Sequence, residues 1–249
     1  MQRFGEPWGV PVLLFNMNTM DTKTDTVNLL PSTGRINRLT FLLSAVAGYC
    51  DTTTFVAGNE TFSAHVTGNF ILLAAQVVGA DASAWLKLTT FPVFIISVII
   101  GGWLIGKTTA RYTLLLIESI ILITTSVLAL VFQSYVGPEQ QWPVYAVVLL
   151  VVFALGLQNA FGKVFAKEIT GPTTIMTGNV TQAALDIGTL FRNKFKGPET
   201  EQSLQKLLVN IGGFLGGCLL GGVMAKEIGL VAVGLPGLIL IMSIKTKRS

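Results

Sequence analysis

From residue 39 onward, long apolar runs alternate with short polar breaks. Eight such runs stand out, at residues 39–57, 66–80, 88–105, 112–132, 144–161, 175–190, 207–225 and 229–244. A helix needs about 20 apolar residues to cross the hydrocarbon core of a bilayer. Six of the runs reach or approach that length. The second and sixth fall short, at about 15 residues each. Each opens on a polar tripeptide, Thr67-Gly68-Asn69 in one and Thr177-Gly178-Asn179 in the other. Polar side chains continue inside them, with Gln76 in the first and Gln182 and Asp186 in the second. The pattern predicts six transmembrane helices and two short re-entrant or broken helices. The alternative for the short pair is a kinked helix that crosses and serves packing only.

The two halves resemble one another. "AGYCDTTTF" followed by "HVTGN" matches "LGLQNAFGK" followed by "IMTGN". Gly48 is thereby paired with Gly156, and Asp51 with Asn159. Further on, "IIGGWLIGK" pairs with "FLGGCLLGG". Repeat one therefore covers residues 39–133 and repeat two residues 144–245, in one membrane domain. With three crossings per repeat, an odd number, the second repeat is predicted to lie upside down relative to the first. Inverted repeats with discontinuous helices meeting near the midplane are a transporter design.

Composition places the chain in lipid. Only 12% of its 249 residues are charged and 51% are hydrophobic, whereas soluble domains carry about 25% charged residues. The mean hydropathy is +0.65. The net charge of +4 is explained by cytoplasmic loops rather than by nucleic acid, because no basic helix or aromatic platform accompanies it. With the N-terminus inside and six crossings, Arg35, Arg38, Lys107, Arg111, Lys163, Lys167, Arg192, Lys194, Lys196, Lys206, Lys245, Lys247 and Arg248 fall on the cytoplasmic side. Lys87 and Lys226 remain outside. Eight crossings would move Lys107, Arg111, Lys163 and Lys167 outside and weaken this bias. Both termini are thus expected in the cytoplasm, with the chain in a bacterial cytoplasmic membrane. Residues 1–38 read as a flexible cytoplasmic tail, with Met17 and Met20 as alternative starts to Met1.

Cys50 and Cys218 lie in apolar runs, and the chain has one histidine. No metal centre, cofactor site or catalytic triad can be assembled, and an enzyme is not expected. The stretch Gly101 to Thr108 fits a phosphate-binding loop literally, but that motif requires a preceding strand and here it ends a membrane span. Gly102 and Gly106, and on the second glycine-rich span Gly212 and Gly216, Gly213 and Gly217, are spaced four apart. Such stripes let helix backbones approach closely in lipid. They are expected to pack the two glycine-rich spans on each other or on the broken helices, or to form a homo-oligomer face.

Ionisable residues inside a membrane are functional candidates. Asp51 is a proton carrier or, equally, a hydrogen-bond anchor for the broken backbone beside it. Asp186 faces a cytoplasmic vestibule or titrates, Glu118 reaches the interface or pairs with another helix, and His65 gates an outer route or is structural. Gly68 and Gly178 permit the breaks, while the Thr and Asn side chains are suited to capping the helices that begin there. A helix N-terminus at mid-depth favours an anion or polar solute. The expected site lies between the broken helices, built from Asp51, Thr67, Gly68, Asn69, Gln158, Asn159, Thr177, Gly178 and Asn179.

The elements "AGYCDTTTF", "HVTGN", "GLQNAF" and "TTIMTGNVTQ" resemble the YoaK family of bacterial membrane proteins over residues 38–245. The resemblance implies about six spans and brings no established substrate. The functional expectation is a small-solute transporter, proton-coupled through Asp51. The alternatives are a channel, or a non-transporting sensor or assembly protein.

Overall fold

The computed structural model describes residues 33–79, 84–107, 112–137, 139–166, 169–194 and 196–245. Among these residues there are only helices and turns. The helices are α1 (Thr33–Ala57), α2 (Gly68–Val78), α3 (Ala84–Lys107), α4 (Thr113–Tyr135), α5 (Trp142–Val164), α6 (Met176–Arg192), α7 (Pro198–Ile228) and α8 (Gly234–Lys245). A short 3₁₀ helix, Gly229–Val233, joins α7 to α8. The start of α1 precedes the first apolar run, so residues 33–38 are helical. The rest of the expected tail, residues 1–32, lies outside the described residues, as do the side chains of Arg35, Arg111, Lys167, Lys245, Lys247 and Arg248.

Five stretches are long and apolar enough to cross a membrane: Arg38–Ala57, Ala84–Lys107, Thr113–Tyr135, Trp142–Val164 and Pro198–Ile244. Six crossings were expected. The difference lies in the last stretch, whose 47 residues hold both α7 and α8. A sharp turn divides it, because Gly229 has φ +62°, a left-handed conformation that glycine adopts without a Cβ clash. At a rise of 1.5 Å per residue, the 11 residues of α2 span about 16 Å, well short of the roughly 30 Å hydrocarbon core. The 17 residues of α6 reach about 25 Å. They include Asn179, Gln182, Asp186 and Arg192 and are the less apolar of the two.

The long helices gather their ends in two apolar clusters. One unites Leu39 and Leu43 from the start of α1, Leu114 and Leu115 from the start of α4, Phe161 near the end of α5, and Leu240 and Ile244 of α8. Leu104 and Ile105, at the end of α3, pack against it. At the opposite end, Leu86 at the start of α3 packs with Val66 and Val148, and Leu230 joins them just beyond α7. Lys87, buried at the start of α3, donates to the Asn59 carbonyl just beyond α1. The end of α1 and the start of α3 are therefore neighbours, with α2 between them in the chain.

Packing partners recur in pairs. The most extensive contact is α1 on α7, and its counterpart is α5 on α3. Likewise α2 packs on α3 and α6 on α7. These interfaces depend on absent side chains. A Cβ at Gly48 would overlap the Phe214 carbonyl oxygen, and one at Gly156 would meet the Phe94 carbonyl oxygen at 3.3 Å. Similarly Gly217 lies against Ala45, while the Ser97 hydroxyl donates to the Phe153 carbonyl. These contacts equate Phe94 with Phe214 and Ser97 with Gly217. The pairing of "IIGGWLIGK" with "FLGGCLLGG" is thus displaced by five residues from the one the contacts support. Gly213 and Gly217 face α1, whereas Gly102, Gly106, Gly212 and Gly216 have nothing within reach of an added Cβ. Among the described residues α3 and α7 do not touch, so the glycine-rich spans pack on the first helices of the opposite halves and on α2 and α6.

Candidate functional site

The chain leaves α1 at Ala57 and turns back along it before α2 begins. Asp51, about two turns before the end of α1, fixes that return. Its Oδ1 accepts the N–H groups of Ala64 at 2.7 Å and His65 at 3.3 Å. Its Oδ2 lies 2.6 Å from His65 Nδ1. Asp51 is buried and the His65 side chain is 34% exposed, so the pair sits at the edge of the protein interior. Hydrogen bonding to Asp51 raises the His65 pKa, against the lowering effect of partial burial.

Asn69 completes the lock. Its Nδ2 donates to the Phe62 carbonyl at 2.8 Å and to Thr90 Oγ1 at 3.0 Å, and its Oδ1 accepts the Phe62 N–H at 2.9 Å. The side chain is wholly buried. A buried backbone group in lipid must find a partner within the protein. Here one amide serves both polar groups of Phe62 and ties them to α3.

The second half repeats this arrangement with different residues. Asn159 Oδ1 accepts from Thr174 Oγ1 at 2.7 Å and its Nδ2 donates to the Leu155 carbonyl at 3.0 Å. Gln158 Nε2 donates to the Leu43 carbonyl at 2.9 Å and to Thr173 Oγ1 at 3.0 Å, while its buried Oε1 has no partner among the described residues. Asn179 Nδ2 donates to the Pro172 carbonyl at 2.8 Å. Proline has no N–H, so this half lacks the reciprocal bond made at Phe62. Asn210 of α7 supplies extra support, donating to the carbonyls of Thr170 at 2.7 Å and Pro172 at 3.2 Å. Ser44 of α1 donates to Asn210 Oδ1. Thr40 Oγ1 accepts the Thr170 N–H at 2.9 Å.

The expected capping does not occur. Thr67 precedes α2 in a helical conformation without a side-chain cap, and α6 starts at Met176, uncapped, so that Thr177-Gly178-Asn179 forms its first turn. Neither Gly68 nor Gly178 has positive φ. The breaks are held by the Asn side chains, and the left-handed backbone falls at other residues, Asn59 and Glu60 before α2 and Gly171, against Asn179, before α6. Thr67 and Thr177 are exposed.

The nine expected site residues do not form one site: Asp51 and Gly68 line one cavity, Gln158 and Asn159 another, and Thr67, Asn69, Thr177, Gly178 and Asn179 line neither. A cavity of about 310 Å³ before α2 is lined by Asp51, His65, Gly68, Phe55, Phe62 and Phe214 among others. A second cavity, about 170 Å³, lies before α6 and is lined by Gln158, Asn159, Lys163, Thr173 and Thr174 among others. Among the described residues no contact joins α2 to α6. Of the proton candidates, Asp51 and His65 meet, while Glu118 and Asp186 stand apart on α4 and α6. Glu118 is wholly buried, and neither carboxylate oxygen has a partner among the described residues. Asp186 is also buried; its Oδ1 accepts from Gln182 Nε2 at 2.8 Å and its Oδ2 has no partner among the described residues.

Sequence reasoning missed Phe62, Thr90, Phe214, Asn210 and the pair Thr173 and Thr174. Asn210 alone left a signal, as a polar residue inside a glycine-rich apolar helix. The literal phosphate-loop match is helical from Gly101 through Lys107, with the Lys107 ammonium 3.8 Å from the centre of the Trp103 ring.

This is a helical multi-pass membrane protein whose two short helices each pack on one long helix, α2 on α3 and α6 on α7, beside loops anchored by buried polar side chains. The chain belongs to the family described as "Protein of unknown function (DUF1275)", whose profile matches residues 39–245. It is similar to the UPF0700 transmembrane protein YoaK of Bacillus subtilis (strain 168), with 29% identity over 171 residues, 64% of this chain and 71% of that one. No solved structure matches it.

Proposed function

We propose that the protein is a small-solute transporter of the cell membrane, built from two inverted repeats, with six crossings and two re-entrant helices. The observation that carries this reading is the doubled lock. Asn69 and Asn179 each secure a returning loop, and each loop ends at a cavity beside the first helix of its repeat. Inversion draws support from the end clusters, since the starts of α1 and α4 lie with the ends of α5 and α8. Repeat mates thus run in opposite directions. The α7–α8 stretch supplies the fifth and sixth crossings, α8 returning along α4 with the 3₁₀ turn. The positive charge of the loops supports a cytoplasmic location for both termini.

In this account the α2 cavity opens outward and the α6 cavity inward, and rocking of one repeat against the other exposes a solute alternately. Asp51 with His65 carries the coupling proton. Polar solutes meet hydroxyl and amide groups in the α6 cavity, where Lys163 also suits an anionic group. The protein acts without enzymatic chemistry or a cofactor. The non-transporting reading draws on Asn69, whose bonds all go to the protein itself.

Proteoliposomes offered panels of radiolabelled amino acids, sugars, amines and carboxylates from outside, under a pH gradient, test the proposal. Saturable uptake that loses its dependence on the gradient in Asp51→Asn is expected. Sealed vesicles that take up nothing, with protein shown to be folded and inserted, would refute transport.

A further inference from the structure

The two cavities are positional counterparts with different linings, and the one before α2 is walled mainly by aromatic rings and His65, with the buried Asp51 carboxylate behind His65 and bonded to it. We propose that the α2 cavity binds a small monovalent organic ammonium ion, which competes with a proton for the Asp51–His65 pair. Phe55 and Phe62 stack with centroids 4.8 Å apart, and Phe62 in turn lies edge-on to His65 at 6.0 Å. Phe214 approaches His65 from α7 at 5.8 Å. Together with Asp51 these groups line a space of about 310 Å³. Ring faces attract a desolvated cation through their quadrupoles, and substituted ammonium groups suit them best because their charge is diffuse and weakly hydrated. The carboxylate behind His65 supplies the counter-charge and disfavours an anion.

His65 decides when that counter-charge is available. With His65 neutral the pair carries one negative charge, which a ligand cation neutralises. With His65 protonated the pair is already neutral, and the imidazolium beside Phe62 and Phe214 repels a second cation. One proton and one cation therefore exclude each other, which is the elementary requirement for exchange. The titratable groups facing the pair are few. Cys218 of α7 lines the cavity, and Cys50 adjoins Asp51 on α1 with the Glu118 carboxyl of α4 close to it. Glu60 belongs to the same returning loop, and Lys87 of α3 is directed to the Asn59 carbonyl. The sequence of α2 contains no ionisable side chain. The counterpart cavity before α6 has an amide, Asn159, in place of the carboxylate and Lys163 on its wall. Cation binding is thus assigned to the first repeat only.

This assignment rests on the transporter reading for its role but not for its test. Tetraethylammonium is titrated into the purified full chain in detergent between pH 5 and 8.5, with butyrate as the anionic comparator, and binding is followed calorimetrically. Saturable tetraethylammonium binding is expected at the alkaline end, weakening about tenfold per pH unit once His65 is protonated, with butyrate silent. Asp51→Asn abolishes binding, Phe214→Leu weakens it several-fold, and His65→Gln retains it without the pH dependence. Should Asp51→Asn not fold, the last two variants decide. Absence of saturable binding at pH 8.5, binding indifferent to pH in the unaltered protein, or full affinity in Asp51→Asn would each overturn the proposal. Proteoliposomes that move another solute while tetraethylammonium fails to bind would remove the cation assignment and leave transport standing. Binding without any flux would do the reverse.

Discussion

Asn69 and Asn179 perform the same task, each donating its side-chain amide at 2.8 Å to the carbonyl seven residues before it. The two locks differ in strength. Asn69 makes three bonds, to both polar groups of Phe62 and to Thr90. Asn179 makes one to a backbone oxygen, and its neighbourhood leans on Asn210 instead. A buried polar group deprived of its partner costs about 1–3 kcal/mol. Asn69→Ala is therefore expected to lower the melting temperature in detergent more than Asn179→Ala. In the second half, Asn179→Ala combined with Asn210→Ala should exceed either single change. Equal, negligible effects would show that the loops are held by other means.

Helix approach gives a second, sharper contrast. Gly217 lies against the Ala45 backbone, whereas Gly216 beside it faces open space. Overpacking a tight contact costs about 1–3 kcal/mol. Gly217→Ala should destabilise the protein by that order, and Gly216→Ala should leave its melting temperature unchanged. If Gly216→Ala proves the more damaging in detergent, the α1–α7 register is wrong.

The His65–Asp51 pair predicts a pH dependence of stability. The folded-state pKa of His65 is raised by its hydrogen bond to Asp51. Its stabilisation is fully present below the unfolded value of about 6.5 and is lost as pH rises through the folded value. Melting temperatures measured from pH 5 to 9 should fall across that window. The fall should vanish in His65→Gln and in Asp51→Asn. A rise across the window in the unaltered protein would reverse the assigned sign.

Glu118 is a different kind of carboxylate, buried without a partner among the described residues. An ionised carboxylate in such a place carries a desolvation cost of many kcal/mol. Glu118→Gln keeps the shape and removes the charge, so the melting temperature should hold or rise. A drop of several degrees at neutral pH would reveal a cationic partner.

The sequence made some of this legible, for physical reasons. The paired Thr-Gly-Asn elements are polar in an apolar setting, and their contrast with lipid-facing neighbours marks them. Asp51 was conspicuous on the same ground, and of its two readings the anchoring bonds to Ala64 and His65 are what the geometry displays. The glycine registration was not legible, because spacings of four repeat along both spans and several alignments fit equally well. Only backbone contacts such as Gly48 with Phe214 and Gly156 with Phe94 separate them. The division of the site into two cavities was likewise hidden. It depends on α2 packing on α3 and α6 on α7, long-range choices that no local pattern encodes.

The inverted, re-entrant arrangement is tested most directly by accessibility of the far ends of the two short helices. In a background with Cys50 and Cys218 replaced, Val78→Cys at the end of α2 and Asn193→Cys just after α6 are exposed to a membrane-impermeant maleimide on intact cells. The account predicts that Val78→Cys is labelled from outside and that Asn193→Cys is labelled only after permeabilisation. Labelling of both positions from the same side, as eight crossings require, would contradict it.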